Sequence, residues 1–378
     1  MSEAAGEVRS AAEGRPARGP KAPAAVWRLS RERVLDLSRA HAVLVLNVTP
    51  DSFSDGGRWS SAEAVAAAAR EAEAAGVSVL DVGGESTRPG AERVAAAEQI
   101  RRVSPAIRAI REAGVGLGVT IDTTLAEVAS AALDAGADAI NDVSAGEESA
   151  DGTLRLAAER GCGIVLMHRL RAPDADVYSH EYRSEPRYDA DGTGAAGDAG
   201  GQGVDGTEVV DGTEGVDGKE AARRSVGEGG GGLPGVVVAV RHRLVAHAER
   251  AAGMGVAREA VAIDPGLGFG KSVRQNVELL RHAGAFVEMG WPVFAGASRK
   301  SFLGKLTGVA EPGRRLGSSL GAAAALHAGG VRLIRAHDGA EHVELLRVLG
   351  EVGRGGRDGV TERRRDEGGR GGVREARG

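Results

Sequence analysis

Eight times between residues 42 and 335 the chain repeats one order: a short apolar run, a polar tip, an alanine-rich amphipathic stretch, and glycine. The apolar runs fall at 42–46, 77–82, 115–121, 138–141, 162–167, 260–263, 292–296 and 331–335. They are continuous rather than alternating, which marks strands buried on both faces. The stretches between them carry helix signals. Ser60 with Glu63 makes a capping-box pattern and Gly76 fits that helix's end; Thr124 with Glu127 repeats the pattern and Gly136 closes it. Strands alternating with helices build a parallel sheet covered by helices. A doubly wound open sheet would gather its unusual residues at one switch point. Here they stand at the C-terminal ends of nearly every run, as on the active face of a barrel. The pattern therefore predicts an α/β fold, a (β/α)8 TIM barrel over 27–352.

Three segments lie outside the pattern. Residues 190–235 hold a six-residue repeat, Val204-Asp205-Gly206-Thr207-Glu208, Val210-Asp211-Gly212-Thr213-Glu214, Val216-Asp217-Gly218-Lys219-Glu220. It has no apolar face to bury, so a disordered low-complexity insertion is expected; its Asp spacing does not match a calcium loop. Residues 353–378 are Gly, Arg and Glu, a disordered tail by composition. Residues 1–26 have no apolar leader core, and Glu3, Glu7 and Glu13 argue against a transit peptide, so a disordered extension is expected. A net charge of −5 gives no basic footprint for nucleic acid. No apolar run approaches the ~18 residues of a membrane span. The single cysteine, Cys162, forbids an intramolecular disulfide and fits a reducing, cytoplasmic setting.

The strand tips carry the chemistry. Asn47 opens the first, followed by Val48-Thr49-Pro50-Asp51-Ser52-Phe53-Ser54-Asp55-Gly56-Gly57. Its oxygen suits a hard cation shared with substrate phosphates, or it starts a turn before Thr-Pro. The second tip runs Asp81-Val82-Gly83-Gly84-Glu85-Ser86-Thr87-Arg88-Pro89-Gly90-Ala91. Paired glycines let backbone approach a ligand, and Arg88 suits phosphate or carboxylate; a glycine turn held by Asp81 and Glu85 is the plainer reading. Asp122 and Asn141 end neighbouring runs and could both point into a barrel mouth. Asp122 could equally cap the next helix, and Asp142 is the better capping candidate of its pair. The fifth tip is Val165-Leu166-Met167-His168. The sixth, Asp264-Pro265-Gly266-Leu267-Gly268-Phe269-Gly270-Lys271, lacks the spacing of a phosphate loop. The seventh is Gly296-Ala297-Ser298-Arg299-Lys300-Ser301, a basic turn of a kind most often found on surfaces. In the eighth, Arg335 can lie flat on a ring face and His337 can donate to phosphate.

Together these strings resemble the dihydropteroate synthase family. The first loop matches almost word for word. Gly84-Glu85-Ser86-Thr87-Arg88-Pro89-Gly90-Ala91, Leu166-Met167-His168 and the Asp264–Lys271 string are similar to further motifs of that family. The resemblance spans about 27–352 apart from the insertion and touches all eight tips. Two departures stand out: Arg169-Leu170-Arg171-Ala172-Pro173 replaces the usual Met-x-Gly-x-Pro, and Leu44 stands where Gly is frequent.

The resemblance implies a transferase of folate biosynthesis. It would join p-aminobenzoate to 6-hydroxymethyl-7,8-dihydropterin pyrophosphate, giving 7,8-dihydropteroate and pyrophosphate. Asn47 would hold Mg²⁺ with the pyrophosphate, and the loop with Phe53, Ser54 and Asp55 would close over the site. Thr87 and Arg88 would serve the aminobenzoate and pyrophosphate. Asp122, Asn141, Asp264 and Lys300 would read the pterin edge, which mixes donors with acceptors. Met167 would pack near the pterin, Phe269 and Ser301 beside the aminobenzoate. Asp55, Arg88, Lys300, Arg335 and His337 are the implied catalytic set, and a homodimer is the implied assembly. Two alternatives stay open: a pterin-binding methyltransferase domain of the corrinoid type, and a non-catalytic pterin-binding paralogue.

Overall fold

A computed structural model describes residues 24–48, 61–189, 192–194 and 232–367, with side chains described to residue 353. Eight parallel strands form one sheet: β3 (His41–Asn47), β4 (Val79–Gly83), β5 (Gly118–Asp122), β6 (Ala139–Asp142), β7 (Gly163–Met167), β8 (Val261–Asp264), β9 (Phe294–Ala295) and β10 (Leu333–Ala336). Their spatial order is β8-β7-β6-β5-β4-β3-β10-β9. A parallel bridge, Ile263 to Val293, joins the two ends and closes the barrel. Each strand overlaps its expected run; all but β3 start one to three residues later, because the first apolar residues belong to the approach from the preceding helix, and most end one residue beyond it, on the polar tip.

The helices wrap the outside: α1 (Ala62–Ala75), α2 (Ala96–Glu112), α3 (Ala126–Asp134), α4 (Gly152–Arg160), α5 (Gly235–Gly253), α6 (Val273–Arg281), α7 (Ala283–Val287), α8 (Ser301–Thr307), α9 (Leu316–Ala328) and α10 (Gly339–Glu367). Gly76 closes α1 in the left-handed conformation, as its position suggests. The starts differ from expectation. Ser61, one residue after Ser60, caps α1 through the Ala64 N–H. At α3 the Thr124 hydroxyl donates to Glu148, and Thr123 accepts from the Leu125 N–H. Tertiary partners took the hydroxyl that the capping pattern had reserved.

Outward strand residues such as Leu46, Leu80, Val82, Val119, Ile121, Ile140 and Ile164 pack under the helices in one large apolar cluster. A second, smaller cluster fills the barrel's lower interior: Val43, Val79, Ala139, Val165, Ala262, Phe294 and Leu333, with Trp27 and Leu29. These last two come from a hairpin, β1 (Val26–Arg28) with β2 (Val34–Asp36), that stops the N-terminal end of the barrel. Trp27 is fully buried, packs edge-on to Phe294 at 6.2 Å, and its indole N–H donates to the Ala260 carbonyl. Burying an indole of about 200 Å² stabilises by roughly 5 kcal/mol as an upper bound. Three-residue strands are too short to show as a periodic run, which is why the hairpin went unread.

Cys162 is buried beside β7, and burial pushes its thiol up to about 11. The native protein is therefore expected to resist thiol reagents at neutral pH, with labelling only on unfolding; rapid labelling of the native chain would contradict this. The turn Gly192–Gly194 and the stretch from Leu233 into α5 belong to the folded body, inside the range assigned to the insertion; 195–231, with its repeats, lie outside the described residues. So do 1–23 and 368–378, while α10 carries the backbone on to Glu367, past the expected boundary at 352.

Candidate active site

Side chains alternate along a strand, so the barrel's register decides which residues share its interior. Asp81 lies beside Thr120, Asp122 beside Asn141, and Val43 beside Arg335. The result is one polar floor above the apolar plug. Asp81, fully buried, accepts from Thr120 Oγ1 at 2.5 Å, from Asn141 Nδ2 at 3.1 Å and from Arg335 Nε at 2.6 Å. Arg335 Nη2 donates to Asp122 Oδ2 at 2.7 Å. One guanidinium thus bridges two buried carboxylates. Asp122 Oδ1 is buried with no hydrogen-bond partner. Burial raises the Asp122 pKa against the pull of Arg335. An orphaned carboxylate oxygen is costly unless something that enters the site donates to it.

Asp264 ends β8 beside this floor. Its Oδ1 accepts from the Gly266 N–H at 2.7 Å, and burial raises its carboxyl to about 6. Lys300 comes from the loop after β9, with Nζ 4.0 Å over the Phe269 ring. Burial, reinforced by the Arg335 charge, lowers its ammonium to about 8. Gly268, at φ +81°, is needed here, since a Cβ would lie 3.0 Å from the Lys300 side chain. His337 receives a hydrogen bond or gives one at Nδ1 to Ser298 Oγ, 3.1 Å away, while its own backbone N–H donates to the same oxygen. Burial, and the charge of Arg335, hold the His337 pKa well below 6.5, so the ring is a neutral donor at pH 7.

Two connected spaces occupy the barrel mouth. The outer, of about 360 Å³, is lined by Asn47, Thr87, Arg88, Ser301 and His337, among others. The inner recess, about 20 Å³, is lined by Asp122, Asn141, Met167 and Asp264. Thr87, Phe269, Lys300 and Arg335 border both. The residues singled out from the sequence therefore converge on one place. Asp55, with Phe53 and Ser54, lies outside the described residues. Asn47 presents its Oδ1 above Gly83, where a Cβ would sit 3.1 Å from it.

Sequence reasoning missed part of this. Asp81, read as a loop-holding residue, anchors Arg335; Glu85 does hold the loop, accepting from the Val94 N–H. Asp142 organises its loop through Ser144, Gly146 and Thr153 rather than capping a helix at once. Strict alternation on β4 would have placed Asp81 inward with Val79. Tyr178, His180 and Glu181 also line the outer space, from a long loop with no periodic signal. Lys271, fully buried, donates to the carbonyls of His168, Gly266 and Phe269 and to His168 Nδ1 at 3.0 Å, pinning the β7 and β8 loops together. The departures fall away from the recess. Arg169 pairs with Glu148, which also holds Arg93 and Thr124, and together these drop the Glu148 carboxyl to about 2 against the cost of burial. Leu44 points outward and packs against the helical layer.

The sequence model of a family described as "Pterin binding enzyme" matches residues 43–190 and 227–337. The dihydropteroate synthase of Escherichia coli (strain K12) is 33% identical over 315 residues, covering 83% of this chain and 92% of that protein. The chain belongs to the pterin-binding enzymes, among the dihydropteroate synthases. A dihydropteroate synthase structure from Xanthomonas albilineans, with 4-aminobenzoic acid, superposes with a TM-score of 0.67 at 34% identity, covering 87% of this chain and 98% of that one. A probable bifunctional folylpolyglutamate synthase/dihydropteroate synthase of Haloferax volcanii is 37% identical over 305 residues; the chain spans 30% of that longer protein. In this chain, then, the polar floor, the recess and the outer space occupy the C-terminal face of the barrel, where catalytic sites of this fold are built.

Proposed function

We propose that the chain condenses 6-hydroxymethyl-7,8-dihydropterin pyrophosphate with p-aminobenzoate, releasing pyrophosphate, with each residue in the role its position allows. The observation that carries this is the recess where Asp264, Asn141 and the orphaned Asp122 oxygen converge. An ionised Asp264 accepts two hydrogen bonds from the pterin's amide and amino N–H groups, a bidentate charge-assisted contact. Asp122 accepts a further donor, and Asn141 matches an edge of mixed polarity. Lys300 donates to the pterin oxygen and ring nitrogen. Met167 packs against the ring, and Arg335 can lie on its face. The recess, at about 20 Å³, has room for about one water and not for a bicyclic ring. A bicyclic ring therefore enters as the Lys300 side chain swings aside, while Arg335 keeps its bonds to Asp81 and Asp122.

The aminobenzoate takes the outer space, beside Phe269, Ser301 and Thr87. Its amine is already a nucleophile, and the pterin ring can delocalise the positive charge left on its methylene as the C–O bond breaks. Catalysis then reduces to positioning and to stabilising the anionic leaving group. Arg88, Arg335 and the neutral His337 ring border the space where that charge develops. Among the described residues no three His, Cys, Asp or Glu side chains gather as a metal set. A Mg²⁺ ion held by Asn47 would draw its other oxygens from pyrophosphate and water. It would supply neutralising charge to the leaving group.

Asn47→Ala is accordingly expected to weaken the pyrophosphate-bearing substrate by about tenfold or more while leaving the bare dihydropterin nearly unaffected. Calorimetric titration with each ligand checks this; equal losses would make Asn47 structural. The function itself is tested by mixing the two substrates with Mg²⁺ and the protein and measuring dihydropteroate and pyrophosphate. Tight dihydropterin binding without product would favour a binding paralogue. The single buried thiol agrees with a cytoplasmic setting, and no helix among the described residues is long and apolar enough to cross a membrane. A homodimer through the small-residue face of α9 completes the reading.

A further inference from the structure

Lys300 reaches the cavity from a constrained piece of backbone. Arg299, just before it, has φ +59°; among the described residues three other non-glycine residues, Ala145, Ala150 and Asp151, share that region, and none of them borders the cavity. A left-handed arginine persists only where its surroundings over-determine it. Here they do so from three directions. The Arg299 N–H donates to Ser319 Oγ at 3.0 Å. Its carbonyl accepts from Arg315 Nη1 at 2.8 Å. Its guanidinium grips Asp338, Nη2 to Oδ1 at 2.6 Å and Nε to Oδ2 at 3.3 Å. Arg315 is itself fixed by the carbonyls of Val309 and Ala310. The next residue, Lys300, returns to extended backbone at φ −63°, ψ 149°, and its side chain crosses to the Phe269 ring.

Asp338 is not part of the cavity wall. We propose that it is a positioning residue: its two-pronged grip on Arg299 holds the left-handed turn that sends Lys300 into the substrate cavity. This rests on the reading of Lys300 as a pterin ligand. The competing use of Asp338 is local, since it immediately precedes α10 and stands where a helix cap would. A cap, however, has no need of a bidentate bond to a residue 39 positions away.

The two roles separate by a rescue experiment. Glycine takes a φ near +59° without penalty, so a chain with glycine at 299 no longer depends on the clamp. Asp338→Ala is expected to lower kcat/KM for the condensation by about tenfold to a hundredfold, the population cost of an unclamped left-handed residue. The double variant Asp338→Ala/Arg299→Gly is expected to recover about tenfold over Asp338→Ala, with no recovery in melting temperature. Asp338→Asn, which keeps a good cap, is expected to lose activity with little change in melting, and it carries the test if the alanine variant does not fold. A double variant no better than Asp338→Ala, or wild-type kcat/KM in Asp338→Asn, overturns the proposal. Wild-type condensation is measured alongside. If the wild type does not condense, the functional reading has failed; the same variants are then ranked by calorimetric dihydropterin binding, where the clamp still requires loss and recovery.

Discussion

Replacing Asp264 by Asn weakens dihydropterin binding by about 10²–10⁴. The substitution turns one acceptor into a donor that faces a donor. Losing a charged hydrogen bond and leaving a buried group unpaired costs roughly 3–5 kcal/mol. Calorimetric titration of wild type and variant reads the loss directly, and unchanged affinity would remove Asp264 from the site. The carboxyl's position near 6 adds a pH signature. The ligand needs the ionised form, so wild-type affinity falls as pH drops below about 6, and the variant lacks that dependence. Stability runs the other way. The folded value lies above the ordinary 3.8, so between the two the folded chain keeps a proton that the unfolded chain releases. This group's contribution therefore declines as pH rises from about 4 to 6, and thermal melts across that window should show the segment flattened in Asp264→Asn.

Arg335→Met should be the most damaging single change to the fold among the site residues. It strands Asp81 and Asp122, both buried, without the guanidinium that joins them. Breaking a buried pair in this way costs about 3–5 kcal/mol. The loss should be largest at neutral pH and shrink under acid, because the stranded carboxyls then take up protons and shed the uncompensated charge. Adding Asp122→Asn should restore part of the stability at neutral pH and none of the turnover. Denaturant titrations at two pH values test this; a midpoint that does not move would mean that the floor is held by something other than the ion pair.

The barrel could be read from the chain because its strands are continuous apolar runs and its functional residues sit just beyond them. Asn47, Asp122, Asn141, Asp264 and Arg335 are each the last or nearly the last residue of a strand, and the register brings all of them inward. What escaped had no periodic signature. The β1–β2 hairpin is too short for one. Asp81 and Thr120 lie mid-strand, where a polar residue announces only that it is satisfied, not by whom. Thr124 carries a cap's sequence, yet its hydroxyl donates to Glu148, since local propensity yields when a tertiary partner is within reach. The tie between the β7 and β8 loops through Lys271 joins residues 103 positions apart, a distance that only the folded chain can close.

Among the described residues, the hairpin seals the barrel's lower end and leaves the recess facing the C-terminal side. Trp27 and Leu29 block passage from below, and the recess adjoins the outer space through Thr87, Phe269, Lys300 and Arg335, which border both. Such a vessel fills from the bottom. On the proposed placement of the two substrates, the pterin is expected to arrive while the outer space is clear, since an aminobenzoate seated there would bar its path. After reaction the bicyclic end is the deepest part of the product, so its departure waits on the clearing of the mouth. An order of traffic, last in and first out, would thus be set by three buried residues at the opposite end of the barrel, Trp27, Leu29 and Phe294, none of which lines either space.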